Sequence, residues 1–267
     1  MPASTYFTDD SILRRVHRER LIGLGGPRAL LLMAAHPVAF EGFFAQTGAL
    51  DDPYARLRRT AEVLETITYG DRRRADVMTR RVRALHGQVR GELPETAGPF
   101  PAGTPYAADD PKLLLWILAA LAQSNLLVYD RYVRPLSHDE RDAYWQDFKV
   151  LGRLFGLRRS EMPRDIDAFD ADMQAMLDGP DLFVTERARE LAIEIVLHPP
   201  VPLAARPLVE LANFITVGLL PDRLRREYRF SWNPARQLAL AGGAEYARRV
   251  LMPLLPGRVR HFQRAVA

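Results

Sequence analysis

Signals that begin helices recur along the whole sequence, and they constrain its fold more than any other feature. An aspartate that can cap a helix precedes a first-turn proline at 51–53 and again at 109–111, and residues 137–140 fit a capping box. Between these signals apolar residues recur at helical spacing, and no run of alternating β-branched residues is present. The sequence therefore predicts an all-α fold, a bundle of roughly ten or more helices.

The predicted helices follow one another without a domain boundary. The long loop 92–108 carries four prolines, and helices of the same character lie on both sides of it. Such a loop is a poor domain linker, but long loops in compact domains often cover a site. We therefore expect one domain over residues 1–267, with helices near 10–23, 28–47, 53–69, 72–90, 111–133, 139–155, 165–177, 185–197, 203–218, 221–228, 234–240 and 244–264.

Composition excludes several kinds of site. Hydrophobic residues make up 48% of the chain and charged residues 26%, so the protein can bury a core large enough to enclose a cofactor. Cysteine is absent, which excludes disulfides, thiolate metal sites and iron–sulfur clusters. Any metal must therefore be held by histidine, by carboxylates or by a prosthetic group.

The charge pattern gives no reason to expect a nucleic-acid partner. The net charge is +4, and arginine clusters occur at 72–74, 223–226 and 258–260. Each cluster lies at a predicted helix end or face, where solvated arginine is the ordinary outcome. No nucleic-acid-binding motif accompanies these clusters, so nucleic acid is not expected as the main partner.

The sequence also lacks an obvious export or membrane signal. Its first residues have neither the basic region nor the apolar core of a signal peptide. The most apolar stretch, 113–129, is shorter than the roughly 20 residues of a membrane helix and is interrupted by Gln123, Ser124 and Asn125. We expect a cytoplasmic protein without a membrane span, in which this stretch is a buried central helix. Assembly into a homo-oligomer is compatible with the sequence.

Three of the six histidines are weak site candidates. Glu190, Glu194 and His198 are spaced by four along one predicted helix face and could hold a metal. Di-iron carboxylate bundles place glutamate and histidine three apart, twice, whereas only one imperfect copy is present here. The metal interpretation is therefore the weaker one. His138 and His261 lie in charged surroundings that are typical of a surface.

His36 and His86 are the stronger candidates. His36 ends the apolar stretch 30–37, and His86 lies in the amphipathic segment 82–91. A histidine on an apolar helix face is more often a satisfied core residue than a ligand. Neutral imidazole is nonetheless the commonest protein donor to haem iron, and Gly87 would let a flat macrocycle approach the backbone closely. From the residues alone, both alternatives stay open.

Arg56 and Thr60 form a third candidate. Their spacing of four places them on one helix face. An arginine and a hydroxyl that project together could hold an anionic group or stabilise a developing oxyanion. The alternative is a solvated arginine beside an ordinary helix threonine.

Taken in order, several segments resemble a known family. The chain is similar to the catalytic domain shared by bacterial rubber oxygenases (latex-clearing proteins) and the endoplasmic-reticulum-bound oxygenase of mycophenolic acid biosynthesis. The likeness is strongest over residues 10–180 and is carried by GGPRALLL (25–32), AHP (35–37), DPYARLRRT (52–60), YGD (69–71), RALHGQVRG (83–91), LLWI (114–117) and YDRYVRPL (129–136).

The resemblance implies an all-helical fold that encloses haem b and its iron, and dioxygen-dependent cleavage of carbon–carbon double bonds in isoprenoid-like chains. By position, His86 corresponds to the proximal iron ligand. Arg56 and Thr60 match the arginine–threonine pair of the haem pocket and are the catalytic candidates. Arg90, one turn from His86, could reach a propionate. His36 falls in a family motif without an assigned role and is kept among the cofactor-binding candidates.

The resemblance thus predicts a haem-dependent oxidoreductase, an oxygenase that acts with dioxygen on a lipophilic unsaturated small molecule. Rubber oxygenases are longer and secreted, so an insoluble polymer is not the expected substrate. The alternative is a helical haem-binding protein without turnover, and a pure interaction protein would make both His36 and His86 core residues. For the oxygenase, we expect an apolar cavity walled by the 113–129 helix and reached from under the 94–105 loop.

Overall fold

The computed structural model describes residues 4–42 and 53–262, apart from the side chains of Pro53 and Arg56. Helices dominate this part of the chain, as the sequence predicts. In chain order they are α1 (Ile12–His17), α2 (Gly25–Ala34), α3 (Pro37–Phe40), α4 (Pro53–Tyr69), α5 (Arg72–His86), α6 (Pro111–Tyr132), α7 (His138–Phe155), α8 (Ile166–Asp178), α9 (Glu186–Leu197), α10 (Arg206–Gly218), α11 (Asp222–Glu227), α12 (Pro234–Tyr246), α13 (Met252–Leu254) and α14 (Gly257–Arg260).

Helix α6 is the centre of the fold. It packs against α2, α7, α8 and α12, and it is the apolar segment that the sequence predicts as a central helix. Its length and hydropathy would allow it to cross a membrane, but 67% of its apolar window is buried inside the protein. A core helix has the same pattern, and the packing around α6 is that of a core helix.

The polar residues in the middle of α6 find hydrogen bonds inside the protein. The guanidinium of Arg28, which is 2% exposed, donates to Gln123 Oε1 at 2.5 Å and to Ser124 Oγ at 2.7 Å. The amide of Asn125 lies 3.3 Å from the Tyr144 hydroxyl. A buried polar group costs little free energy only when it is paired, so these contacts explain how α6 tolerates polar residues at its centre.

Two of the predicted helix starts are confirmed. Asp110 caps α6 by accepting from the backbone of Lys112 and Leu113, and Pro111 occupies the first turn. Ser137 begins α7 with a complete capping box. The predicted cap at 51–52 lies outside the described residues.

The helix expected over 28–47 is broken at His36. Helix α2 ends at Ala34, and His36 has an extended backbone (φ −96°, ψ 109°) before α3 begins at Pro37. The ring of a proline disfavours the helical conformation in the residue before it, which explains the break. His36 consequently becomes the cap of α3, with its Nδ1 accepting from the Ala39 amide at 3.4 Å. The part of this predicted helix over 43–47 lies outside the described residues.

The helix expected over 72–90 is also shorter than predicted. Helix α5 ends at His86, and the chain then forms strand β1 (Arg90–Glu92), which pairs antiparallel with β2 (Pro105–Ala107). Gly91 faces Tyr106 in this register. The pairing of two segments far apart in sequence overrides the local helical pattern. The small hairpin is consistent with the predicted minimal strand content.

Helices α4 and α5 form an antiparallel hairpin around Gly70 and Asp71. Asp71 caps α5 by accepting from the Arg74 amide, and the Arg74 guanidinium lies 3.4 Å from Glu62 on α4. A connection this short joins antiparallel neighbours. The first turns of α4 and the last turns of α5 therefore lie at the same end of the hairpin.

Candidate functional site

A pocket of about 530 Å³ lies at the carboxyl end of α5 and contains His86. The last two turns of α5 form one wall, and the start of α6 and the end of α7 complete it. Its volume falls in the range of about 300–1,000 Å³ that is usual for small-molecule and cofactor sites. The described lining residues are Arg80, Arg83, Ala84, His86, Asp109, Leu114, Phe155 and Gly156.

Three lining residues share one face of α5. Arg80, Arg83 and His86 are spaced by three, which brings their side chains one above another on a helix. His86 is the last helical residue and is half-buried, and Gly87 follows as the helix cap. The end of α5 thus presents an imidazole and two guanidinium groups to the same pocket.

The sequence predicts an apolar cavity, but the lining of this pocket is partly charged. Among the described lining residues, Leu114 and Phe155 supply the large apolar side chains, whereas Arg80, Arg83 and Asp109 are charged. Within residues 4–42 and 53–262, the guanidinium groups of Arg80 and Arg83 form no ion pair or hydrogen bond. The pocket is therefore amphipathic, with a basic wall on α5 facing apolar side chains from α6 and α7.

Arg90 does not lie one helical turn from His86, because α5 ends before it. It lies on β1, and its guanidinium is 2.8 Å from the Asp109 carboxylate. Since Asp109 lines the pocket, Arg90 reaches the edge of the site through this carboxylate. The prediction that Arg90 follows His86 on the same helix is wrong, while its place beside the pocket is retained.

The arginine–threonine pair lies on α4, at the end of the hairpin where α5 finishes. Thr60 is exposed and is not among the residues that line the pocket. The side chain of Arg56 lies outside the described part of the structure. The helix hairpin places the backbone of both residues at the end of α4 that lies beside the carboxyl end of α5, and their joint role stays a prediction.

His36 is buried at the junction of α2 and α3, apart from the described lining of the His86 pocket. Its ring stacks on Phe100, with 5.3 Å between ring centroids. Burial lowers the pKa of His36, and the carboxylates of Asp181 and Asp110 oppose this effect. The buried His36 imidazole is therefore neutral, and its place among the cofactor-binding candidates stays a prediction. Asp110, one of the two opposing carboxylates, is the neighbour of the pocket residue Asp109.

A second cavity of about 200 Å³ lies beneath the proline-rich loop. Glu41 and Arg187 form an ion pair of 3.1 Å across it, and burial raises the pKa of Glu41. The 94–105 loop therefore contributes to this cavity rather than to the described lining of the His86 pocket. The described lining residues are Pro37, Phe40, Glu41, Leu93, Pro94, Glu95, Ala97, Thr185 and Arg187.

The pocket also contains residues that are not expected from the sequence. Arg83 lies within the RALHGQVRG segment, and its spacing of three from His86 could have identified it. The same spacing extends to Arg80. Asp109 was noted as part of a helix start and not as a pocket residue, and Phe155 comes from α7, so neither carried a local signal.

The other histidines provide no competing metal site. His198 is exposed with its Nδ1 3.8 Å from Glu194, and no cluster of three metal-binding side chains occurs within 4–42 and 53–262. His138 is exposed, as predicted, and lies 3.0 Å from Asp167. His261 is instead half-buried, with Nε2 3.3 Å from Glu19.

Together, the fold and the site define an all-helical protein whose histidine-bearing pocket opens between the ends of three helices. Residues 14–250 match the family described as "ER-bound oxygenase mpaB/B'/Rubber oxygenase, catalytic domain". The chain belongs to this oxygenase family, as the sequence resemblance predicts.

Two mycobacterial proteins are among its relatives. An uncharacterized protein of Mycobacterium bovis and an uncharacterized protein of Mycobacterium tuberculosis are each 30% identical to the chain over 187 residues. The aligned region covers 69% of this chain and 69% of each relative. No solved structure matches the chain.

Proposed function

We propose that this protein is a haem b-dependent oxygenase that acts in the cytoplasm on a lipophilic unsaturated small molecule. Membership of the oxygenase family supports the reaction class. The observation that carries the haem proposal is the placement of His86 in a pocket of cofactor size, at the end of the helix that the family resemblance selects.

The residues of the pocket fit a haem by their chemistry. Neutral imidazole is the commonest protein ligand of haem iron, and His86 supplies it. The guanidinium groups of Arg80 and Arg83 complement the carboxylates of haem propionates, since arginine pairs well with carboxylate oxygens. Leu114 and Phe155 provide apolar surface for the macrocycle.

In this proposal each side chain has a defined task. His86 would hold the iron through a ring nitrogen, while Arg80 and Arg83 would orient the propionates. A bound haem supplies the capacity to bind and activate dioxygen. Arg56 and Thr60, which share one face of α4, would stabilise negative charge that develops during the reaction. Arg90 is held by Asp109 at the pocket edge, where it balances the carboxylate charge.

The proposed reaction is oxidative cleavage of a carbon–carbon double bond in an isoprenoid-like chain. One dioxygen molecule and one double bond give two carbonyl groups, so both oxygen atoms enter the products and no external reductant is required. A long apolar substrate gains about 25 cal/mol for each Å² of apolar surface that it buries. Leu114 and Phe155 are the described apolar residues that such a chain would meet.

Oxygen uptake tests this function. Haem-loaded protein is mixed with an unsaturated isoprenoid and, as the control, with its saturated analogue. We expect oxygen consumption with the unsaturated compound alone, matched one-to-one by loss of substrate and accompanied by carbonyl products. Stable haem binding without substrate-dependent oxygen uptake would instead support the alternative, a helical haem-binding protein without turnover.

A further inference from the structure

Exposed apolar side chains are concentrated in the last quarter of the described chain. Of thirteen large hydrophobic residues that are exposed, eleven lie within 203–262, and the other two are Leu85 and Phe183. The eleven are Leu203, Leu208, Leu211, Leu238, Tyr246, Val250, Leu251, Leu254, Leu255, Val259 and Phe262. Exposed apolar side chains that are concentrated in this way mark an interaction site more often than scattered ones do.

Four of these side chains form a stripe along one helical segment. Helix α12, a π-helical turn (Ala247–Leu251) and α13 follow one another without a break. Leu238, Tyr246, Val250 and Leu254 recur along this segment at multiples of four residues, and we call them the C-terminal apolar stripe. Leu238 is 75% exposed and Leu254 is 76% exposed.

The opposite side of the same segment faces the protein. Leu240, Ala244 and Met252 are buried, and α12 packs on α6 and α10. Leu208, on the neighbouring α10, is 71% exposed and extends the apolar surface. The segment is thus amphipathic, and its outer side is apolar where a helix on a protein surface is usually polar.

The charge of this region is opposite to that of an anionic lipid surface. Residues 234–262 contain five arginines and one glutamate, a net charge of +4. The whole chain carries 37 basic and 33 acidic residues, also +4, so the remaining 32 basic and 32 acidic residues cancel. All of the net positive charge therefore lies in the segment that also carries the apolar stripe.

We propose that the C-terminal apolar stripe docks this protein on the surface of an anionic phospholipid membrane. Exposed leucines enter the boundary between head groups and acyl chains, and neighbouring arginines extend their guanidinium groups to lipid phosphates. Arg236, on α12, and Arg258, on α14, lie near the two ends of residues 234–262 and are exposed. A symmetric dimer through the same surface would bring two regions of +4 together, which disfavours a second copy as the partner.

Docking of this kind does not depend on haem or on turnover, so it stands apart from the proposed function. If both hold, the membrane is the source from which a lipophilic substrate is drawn, because such molecules partition into lipid.

Vesicle flotation of the full chain tests the proposal. We expect the protein to float with vesicles of phosphatidylcholine and phosphatidylglycerol in equal parts, and to remain behind with phosphatidylcholine alone. Each basic residue near an anionic surface contributes about 1 kcal/mol, or about fivefold in affinity. Arg236→Gln and Arg258→Gln should therefore each weaken binding about fivefold, and added salt should weaken binding as well.

The double variant Leu238→Gln/Leu254→Gln tests the apolar part. Both side chains are exposed, so we expect an unchanged circular dichroism spectrum and about tenfold or more weaker binding to the mixed vesicles. Leu254→Gln alone serves if the double variant fails to fold. The matched control is Leu85→Gln, an exposed leucine outside the stripe, which should bind vesicles like the parent protein.

Three outcomes would overturn the proposal. The first is the absence of binding to the mixed vesicles, and the second is equal binding by the double variant and the parent. The third is a dimer in solution that the double variant converts to a monomer while neither form binds vesicles, which would make the stripe a subunit interface.

Discussion

The guanidinium of Arg90 lies 2.8 Å from the carboxylate of Asp109, and that carboxylate lines the pocket of His86. The pair connects strand β1 to the start of α6 across the end of α5. The Asp109 carboxylate lines the same pocket as Arg80 and Arg83, and the Arg90 guanidinium balances its charge. The Asp109 carboxylate is therefore an internal competitor for the arginines that we propose to hold the propionates.

Removing Arg90 should weaken haem retention without changing iron ligation. In Arg90→Ala, the Asp109 carboxylate loses its ion pair and attracts the pocket arginines more strongly. Since the pair is exposed, the free energy of unfolding should change by less than about 1 kcal/mol. Asp109→Asn, the matched variant, should retain haem at least as well as the parent. The haem-to-protein ratio and thermal unfolding measure both effects, and a spectrum typical of ligand loss in Arg90→Ala would contradict the assignment.

Arg56→Ala and Thr60→Ala should lower the reaction with oxygen while leaving the fold intact. Loss of one group that stabilises developing negative charge lowers a rate by about 100-fold or more. If the two residues act as a unit, the rate of oxygen uptake by the double variant should be close to that of the less active single variant. Glu65→Ala, an exposed change farther along α4, is the control. If both single variants and the double variant consume oxygen as fast as the parent, neither residue has a catalytic role.

Much of the fold followed from the sequence because its signals are local. Helix α6 is apolar on nearly all sides, which is typical of a central helix, and the cap at Asp110 defines where it begins. The break at His36 was missed, although the proline after it provides a local reason. The strands β1 and β2 carried no such signal, since three-residue strands form only through their pairing across the loop.

Part of the site was also predictable, because some of its residues carry local sequence signals. His86 was selected through its segment, and the spacing of Arg80 and Arg83 is visible in the sequence. Which face of α5 borders a pocket depends on how α6 and α7 pack, and Phe155 enters the site from a distant helix. These contacts between helices are tertiary, so the periodicity of one helix cannot predict them.

His17 was given no role from the sequence, yet it should control stability in acid. Its Nε2 lies 3.0 Å from the Tyr144 hydroxyl and 3.3 Å from the Asn125 amide nitrogen. Because an amide nitrogen can only donate, Nε2 must accept, and the imidazole is neutral. Burial lowers the pKa of His17 to about 4, from its ordinary value of 6.5.

The sign of the pH effect follows from these two pKa values. Between pH 6.5 and about 4, the unfolded chain binds a proton at His17 that the folded protein does not. The stability contributed by the neutral imidazole is full above pH 6.5 and falls by about 3 kcal/mol as the pH drops to about 4. His17→Gln should flatten this part of the profile in denaturant titrations. An unchanged slope in the variant would show that other groups cause the acid sensitivity.

Two adjacent glycines should respond oppositely to alanine. A Cβ at Gly25 would lie 2.6 Å from the Asn125 side-chain oxygen and 3.3 Å from the backbone of α6, whereas a Cβ at Gly26 meets nothing within 4 Å. We expect Gly25→Ala to destabilise the protein by about 1–3 kcal/mol through overpacking. Gly26→Ala should be neutral or stabilising by up to about 1 kcal/mol. Chemical denaturation compares the pair, and equal effects would contradict the close approach of α2 to α6.

The visible spectrum of protein purified from haem-supplied cells tests the central claim most directly. The parent should show a Soret band, and His86→Ala should abolish the band or sharply lower haem occupancy, because the iron loses its protein ligand. His138→Ala, which removes an exposed histidine far from the pocket lining, should leave the spectrum unchanged. Full haem occupancy and an unaltered spectrum in His86→Ala would contradict the assignment of His86 as the iron ligand.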